Sequence, residues 1–139
     1  MTTIGGVGGS QRLTVTSDQD VVRVRQLVRT VAVSAKLSLV DQTKLVTAAS
    51  ELARNTLVHG GGGTVQVSLV GNGHRNGVRI VFADDGPGIG DLAQALTDGY
   101  TTGGGLGLGL GGARRLVDEF HVDTAVGRGT CITVTKWCR

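Results

Sequence analysis

The chain predicts a two-layer α/β sandwich of the α+β kind, with a mixed, mostly antiparallel sheet and the helices on one face. Three observations carry that expectation. Two long stretches with helical apolar spacing follow each other before Gly60. Beyond it come two pairs of alternating, β-branched segments, each pair joined by a turn rich in glycine. Between the pairs lie a short helical stretch and a longer one.

Each element has a local reason. Residues 1–10, with Gly5, Gly6, Gly8 and Gly9, are expected to be a disordered lead-in, leaving residues 11–139 as a single domain. Leu13 to Thr16 reads as a short strand. Ser17 or Asp18 then caps a helix to about Leu37, with Val21, Val24, Leu27, Val28 and Val31 as its apolar stripe. A second helix runs from about Asp41 to Val58, turning Leu45, Ala48, Ala49, Leu52 and Thr56 inward and stopping at Gly60. Thr64 to Val70 and Val78 to Ala83 form a hairpin. A short helix is expected around Asp91 to Leu96, and another ending near Phe120 with Leu116, Val117 and Phe120 on one face. The strands His121 to Val126 and Thr130 to Trp137, joined by Gly127-Arg128-Gly129, close the chain.

Composition narrows the function. The 139 residues are 40% hydrophobic but only 3% aromatic, so the core is built of Val, Leu, Ile and Ala. The net charge of +3 suits an anionic ligand or an acidic partner. With few aromatics to stack bases, nucleic-acid binding is not expected. No apolar run approaches the roughly 18 residues of a membrane span, so no membrane association is expected. Cys131 and Cys138 are seven positions apart, an odd offset that puts them on opposite faces of a strand and argues against a disulfide. Without a metal-binding spacing or a signal peptide, they point to a reducing, cytoplasmic setting. His59, His74 and His121 have no metal-ligand spacing either.

Three segments carry chemistry. Between Gly103 and Gly112, seven of ten residues are glycine, with Leu106, Leu108 and Leu110 interleaved. A flexible linker would carry serine and polar residues instead. Glycines at that density in a helix would each cost about 0.8–1 kcal/mol against alanine. What they offer is close backbone approach to an anion, with a helix N-terminus behind them, so a phosphate-binding loop is the better reading. There is no P-loop lysine, and the literal match Gly107-x-Gly109-x-x-Gly112 lacks the preceding strand of a dinucleotide fold. Glu51 and Asn55 lie four apart on one helix face, near the apolar stripe. Taken alone they read first as a solvated polar pair, although the same oxygens could hold Mg²⁺ and a hydroxyl. Asp84-Asp85-Gly86-Pro87-Gly88 follows a strand. It is either an ordinary acidic turn or an acceptor for an exocyclic amine such as that of adenine.

In order, Glu51-Leu52-Ala53-Arg54-Asn55, Asp84-Asp85-Gly86-Pro87-Gly88 and Gly105-Leu106-Gly107-Leu108-Gly109 resemble the N box, the Asp-x-Gly-x-Gly box and the glycine-rich box of the GHKL ATPases. Gly129-Thr130 resembles the glycine-threonine of that superfamily's last strand pair. Ala49 to Asn55, Gly99-Tyr100-Thr101-Thr102, Arg114 to Phe120 and Lys136-Trp137 are similar to its small anti-sigma and serine-kinase branch. Within that branch the switch kinases of bacterial general stress signalling are most alike, over nearly the whole chain after Gln11.

The resemblance implies a Bergerat-type ATP-binding fold with ATP and Mg²⁺ as cofactors. It implies that Asn55 coordinates Mg²⁺ and Glu51 orients or deprotonates the acceptor hydroxyl. Asp84 would accept the adenine amine, with Gly86 and Gly88 keeping the base pocket open. Thr101, Thr102, Gly105, Leu106, Gly107, Leu108 and Gly109 would enclose the phosphates, and Thr130 would complete the adenine-side network. His59 stands where an aromatic or small residue is expected. The implied activity is phosphorylation of a serine or threonine on a small STAS-type antagonist protein, with a phosphatase or sigma factor as alternate partner. The alternative is an anti-sigma factor that sequesters a sigma subunit and uses nucleotide as a regulator. The Asp91-to-Gly103 segment is short for a gyrase-like lid, and no dimerisation helix of a histidine kinase is expected.

Overall fold

The computed structural model describes residues 9–91, 96 and 110–139. Its elements run β1 (Ser10–Val15), α1 (Asp18–Ser34), α2 (Leu39–Val58), β2 (Gly63–Gly71), β3 (Asn76–Asp84), α3 (Leu110–Arg115), β4 (Glu119–Ala125) and β5 (Gly129–Trp137). The strands form one five-stranded sheet in the order β1-β2-β3-β5-β4, and every pairing among them is antiparallel. Ser10, expected before the first strand, opens β1 by pairing with Ser68, and the Gly9 carbonyl accepts the Leu69 N–H.

Alternation places the core on one sheet face. Val65, Val67 and Leu69 of β2, Val78, Ile80 and Phe82 of β3, and Ile132 and Val134 of β5 are buried under the helices. From above, α1 contributes Val24, Val28 and Val31, and α2 contributes Leu45, Ala48, Ala49 and Leu52. Of the expected α1 stripe, Leu27 alone is only partly buried. None of the helices is long and apolar enough to cross a membrane, among the described residues.

Caps set the helix limits. Ser17 accepts the Asp20 N–H, and the Asp20 carboxylate accepts the Thr16 N–H at 2.9 Å, a reciprocal cap at the start of α1. That backbone donor, with the Thr16 and Ser17 hydroxyls and Arg23 behind it, holds the Asp20 carboxyl below its ordinary range. The cap therefore contributes at neutral pH and is lost as acid protonates the carboxylate. The α1 helix stops at Ser34 rather than Leu37 because Lys36 takes the left-handed conformation, with φ of 64°. The Leu37 N–H then bonds the Ala32 carbonyl and the Lys36 N–H the Val33 carbonyl, a Schellman ending that normally uses glycine.

The last third of the chain corrects one expectation. The helix does not reach Phe120: α3 ends at Arg115, and Glu119 and Phe120 open β4. Asp118 is what draws the chain into the sheet. Its N–H bonds the Thr135 carbonyl, and its carboxylate accepts the Trp137 N–H and pairs with Arg139. Lys136 is only 4% exposed, and its ammonium lies 3.8 Å from Asp118 and 3.6 Å from Asp41 at the start of α2. Losing one partner of a buried ion pair costs about 3–5 kcal/mol, because the other charge stays buried. Asp41→Ala is therefore expected to lower unfolding stability by about 3 kcal/mol, near the bottom of that range since Asp118 still faces Lys136. Urea unfolding of the two proteins measures it.

Both cysteines are free thiols. Burial, then the neighbouring Asp123 and Asp84 carboxylates, push the Cys131 thiol up, so it stays protonated near neutral pH.

Candidate nucleotide-binding site

A cavity opens where α2, the ends of β3 and β5, and the start of α3 meet. Leu52, Phe82, Ile89, Leu110 and Ile132 give it an apolar lining, while Asn55, Thr56, His59, Asp84 and Thr130 bring polar groups to its wall. The strands explain why these converge. Asp84 is paired with Thr130 on β5 and with Gly63 on β2, so the last residue of the central strand points its side chain at the end of α2. A Cβ placed on Gly60 would lie 2.4 Å from the Asp84 Cγ, which shows how closely the helix end seats against that carboxylate.

The Asp84 carboxylate is oriented from its own turn, where Oδ1 accepts the Gly86 N–H at 2.9 Å. Gly88 has φ of 76°, and a Cβ there would stand 2.1 Å from the Ala125 carbonyl oxygen. Its glycine is thus required by packing against β4. On the far wall, the Thr124 and Thr130 hydroxyls are 2.9 Å apart. Thr124 Oγ1 also donates to the Gly129 carbonyl and accepts the Ile89 N–H, so the Thr130 hydroxyl is the donor between the two. Thr130 is thereby held with its oxygen along the cavity wall.

Asn55 reaches the cavity, and its carbonyl accepts the His59 and Gly60 N–H groups that end α2. Glu51 is one turn earlier but does not line the cavity; it is exposed to solvent. The expected nearness of Glu51 to the apolar stripe is therefore a matter of adjacency, with Leu52 buried beside it. The structure thus brings Asn55, Asp84, Gly88 and Thr130 together, keeps Gly86 in the Asp84 turn, and leaves Glu51 outside the cavity. Thr101, Thr102, Gly105, Leu106, Gly107, Leu108 and Gly109 lie outside the described residues, as does most of the helix expected at Asp91 to Leu96.

Phe82, Ile89 and Ile132 of the apolar floor, and the supporting Thr124, were not singled out from the sequence, and Leu110 was noted only as a leucine of the glycine-rich run. Strand alternation could have pointed to Phe82 and Ile132. No local signal marks Ile89 or Thr124.

A helix-borne asparagine facing a strand-end aspartate across an apolar slot, on a sheet covered by helices on one face, defines an ATP-binding domain of the GHKL class. Residues 40–138 match the histidine kinase-, DNA gyrase B-, and HSP90-like ATPase family, and the chain belongs to it. Over 123 residues it is 42% identical to the serine/threonine-protein kinase RsbT of Bacillus subtilis (strain 168), spanning 88% of this chain and 92% of that protein. It is 33% identical to an anti-sigma F factor of Clostridium novyi (strain NT), over 76% of this chain and 81% of the relative. The crystal structure of the RsbU and RsbW domains of a Mycobacterium tuberculosis protein superposes with a TM-score of 0.63 at 24% identity. That match spans 94% of this chain and 33% of the solved one, and it bears on the fold.

Proposed function

We propose that this chain, as one domain over residues 11–139, is an ATP-dependent serine/threonine protein kinase of a bacterial partner-switching pathway. Its substrate would be a small STAS-type antagonist protein, and its setting the cytoplasm. The observation that supports this most is the arrangement on α2. Asn55 faces the cavity, and Glu51, one turn away, faces solvent where a protein hydroxyl can arrive.

In this reading the adenine enters the slot floored by Phe82, Leu110 and Ile132, with its exocyclic amine donating to Asp84 and the Thr130 wall beside it. The glycine-rich residues 103–109, with Thr101 and Thr102, would enclose the phosphates. Asn55 fits a divalent cation, since its carboxamide oxygen is a hard donor at the cavity edge; Mg²⁺ there would neutralise phosphate charge. In the transfer step the acceptor oxygen bonds to the γ-phosphorus while the bond to the bridging oxygen of ADP breaks. ADP leaves with that electron pair, and the hydroxyl proton passes to the Glu51 carboxylate.

A second reading has one specific support, the 33% identity to a protein named as an anti-sigma F factor. There the chain would hold a sigma subunit and use nucleotide to set its surface. The test is to incubate the chain with radiolabelled Mg-ATP and the STAS-type protein recovered with it from its own cell extract. Label on a serine or threonine of that protein is the expected result. A stable complex with no label would favour the anti-sigma reading.

A further inference from the structure

Opposite its buried face, α2 presents an exposed ridge: Lys44, Thr47, Glu51, Arg54 and Val58, at alternating spacings of three and four. Val58, an apolar side chain, is left 50% exposed. Three arginines are paired with carboxylates: Arg23 with Asp20, Arg128 with Asp123, Arg139 with Asp118. Among the described residues, Arg54 and Lys44, like Arg25 on the neighbouring helix, have neither a hydrogen bond nor an ion pair, and Arg54 is the one that shares a ridge with Glu51 one turn away. Arg54 is only three residues from Glu51 yet does not pair with it. A cation locked onto that carboxylate would make it a poorer proton acceptor, so the ridge keeps the two charges apart and both available.

We propose that this ridge is the docking surface for the acceptor segment of the substrate protein. Arg54 is its specificity-determining residue, selecting a hydroxyl flanked by a carboxylate. The inference deepens the kinase reading and rests on it: a hydroxyl presented to Glu51 must lie along this ridge, within reach of Arg54 on one side. Charge complementarity names the occupant. The helical layer from Val21 to Asn55 carries Arg23, Arg25, Arg29, Lys36, Lys44 and Arg54. Against these six cations the two helices carry four acids: Asp18 and Asp20 open α1, with Asp20 paired to Arg23, Asp41 is buried against Lys136, and Glu51 is the proposed base. Along the ridge itself an acidic segment meets Lys44 and Arg54 against Glu51 alone, and Val58 offers an apolar contact at the end nearest the nucleotide cavity.

The experiment uses the full chain, its Arg54→Gln and Arg54→Lys variants, Mg-ATP, and the STAS-type protein that the wild type phosphorylates. Arg54→Gln is expected to raise the KM for the protein substrate about tenfold, the scale of one lost charge-assisted hydrogen bond. The KM for ATP should stay within about twofold and kcat should change little, and Arg54→Lys should recover much of the loss. Neutralising the carboxylate beside the acceptor in the substrate should reproduce the Arg54→Gln phenotype in the wild type, with no further loss in the pair. A raised KM for ATP with an unchanged protein KM would mean that Arg54 serves the nucleotide, and would overturn the proposal. So would unchanged values for both. Absence of transfer by the wild type overturns the kinase reading instead, and the Kd of the same protein for Arg54→Gln then tells whether the ridge docks it.

Discussion

Glu51→Ala is expected to lose phosphoryl transfer by 10²–10⁴-fold, the usual contribution of a positioned general base, while ATP binding stays near the wild-type value. Two observations separate those effects. Glu51 lies outside the cavity proposed for the adenine, so its removal takes nothing from that cavity's wall. It is exposed and has no partner among the described residues, so truncation leaves no buried group unsatisfied and stability should shift by less than about 0.5 kcal/mol. Single-turnover transfer to the protein substrate, with calorimetry for ATP and a melting curve for the fold, distinguishes the outcomes. Transfer at the wild-type rate would remove Glu51 from the mechanism. Weaker ATP binding would place it on the nucleotide instead.

The second large effect is on the base. Asp84→Asn should weaken ATP binding about ten- to hundredfold, the cost of losing a buried charge-assisted hydrogen bond of roughly 1.5–3 kcal/mol. Asparagine keeps the shape and an oxygen that can still accept the Gly86 N–H, so the turn at β3 is retained. The wild type should also prefer ATP to GTP, because guanine presents a carbonyl where adenine presents its amine. Competition binding with both nucleotides reads the discrimination. Equal affinities, or an Asp84→Asn variant indistinguishable from wild type, would dissociate Asp84 from base recognition.

Much of the layout was legible because it rests on periodicity. Stripes at 3.6-residue spacing located α1 and α2, and alternation located the β2–β3 hairpin and β5. Asn55, Asp84 and Thr130 all line the cavity, but read alone they are a solvated pair, an acidic turn and a strand residue; it is the resemblance to the GHKL boxes that points to them together. What was not legible depends on contacts between distant residues. Leu116, Val117 and Phe120 keep helical spacing, but Asp118 is held by Thr135 and Trp137, and that tertiary demand ends the helix at Arg115, leaves 116–118 as a turn and puts Phe120 in β4. Lys36 carries no sign of a left-handed backbone; Leu37, buried at 4% exposure, fixes it by continuing into the core. The pairing of Asp41 with Lys136 spans most of the sequence, and neither residue is distinctive alone. Glu51 shares a helix face with Asn55, yet a rotation of about 40° around α2 is enough to carry it from the cavity edge into solvent.

The Lys136 cluster and the nucleotide cavity are joined by two struts of matching length. From Asp41 to Asn55, α2 rises about 21 Å at 1.5 Å per residue. From Thr130 to Lys136, β5 covers about 20 Å at 3.3 Å per residue, running the opposite way between the same two places. Helix and strand thus form a closed truss, pinned at one end by buried charge and carrying the proposed chemistry at the other. A truss pinned in this way keeps its proportions while its loaded end changes occupants. Descendants of this chain can therefore alter the cavity rim and the outer ridge of α2 to suit new partners without renegotiating how the domain is held together.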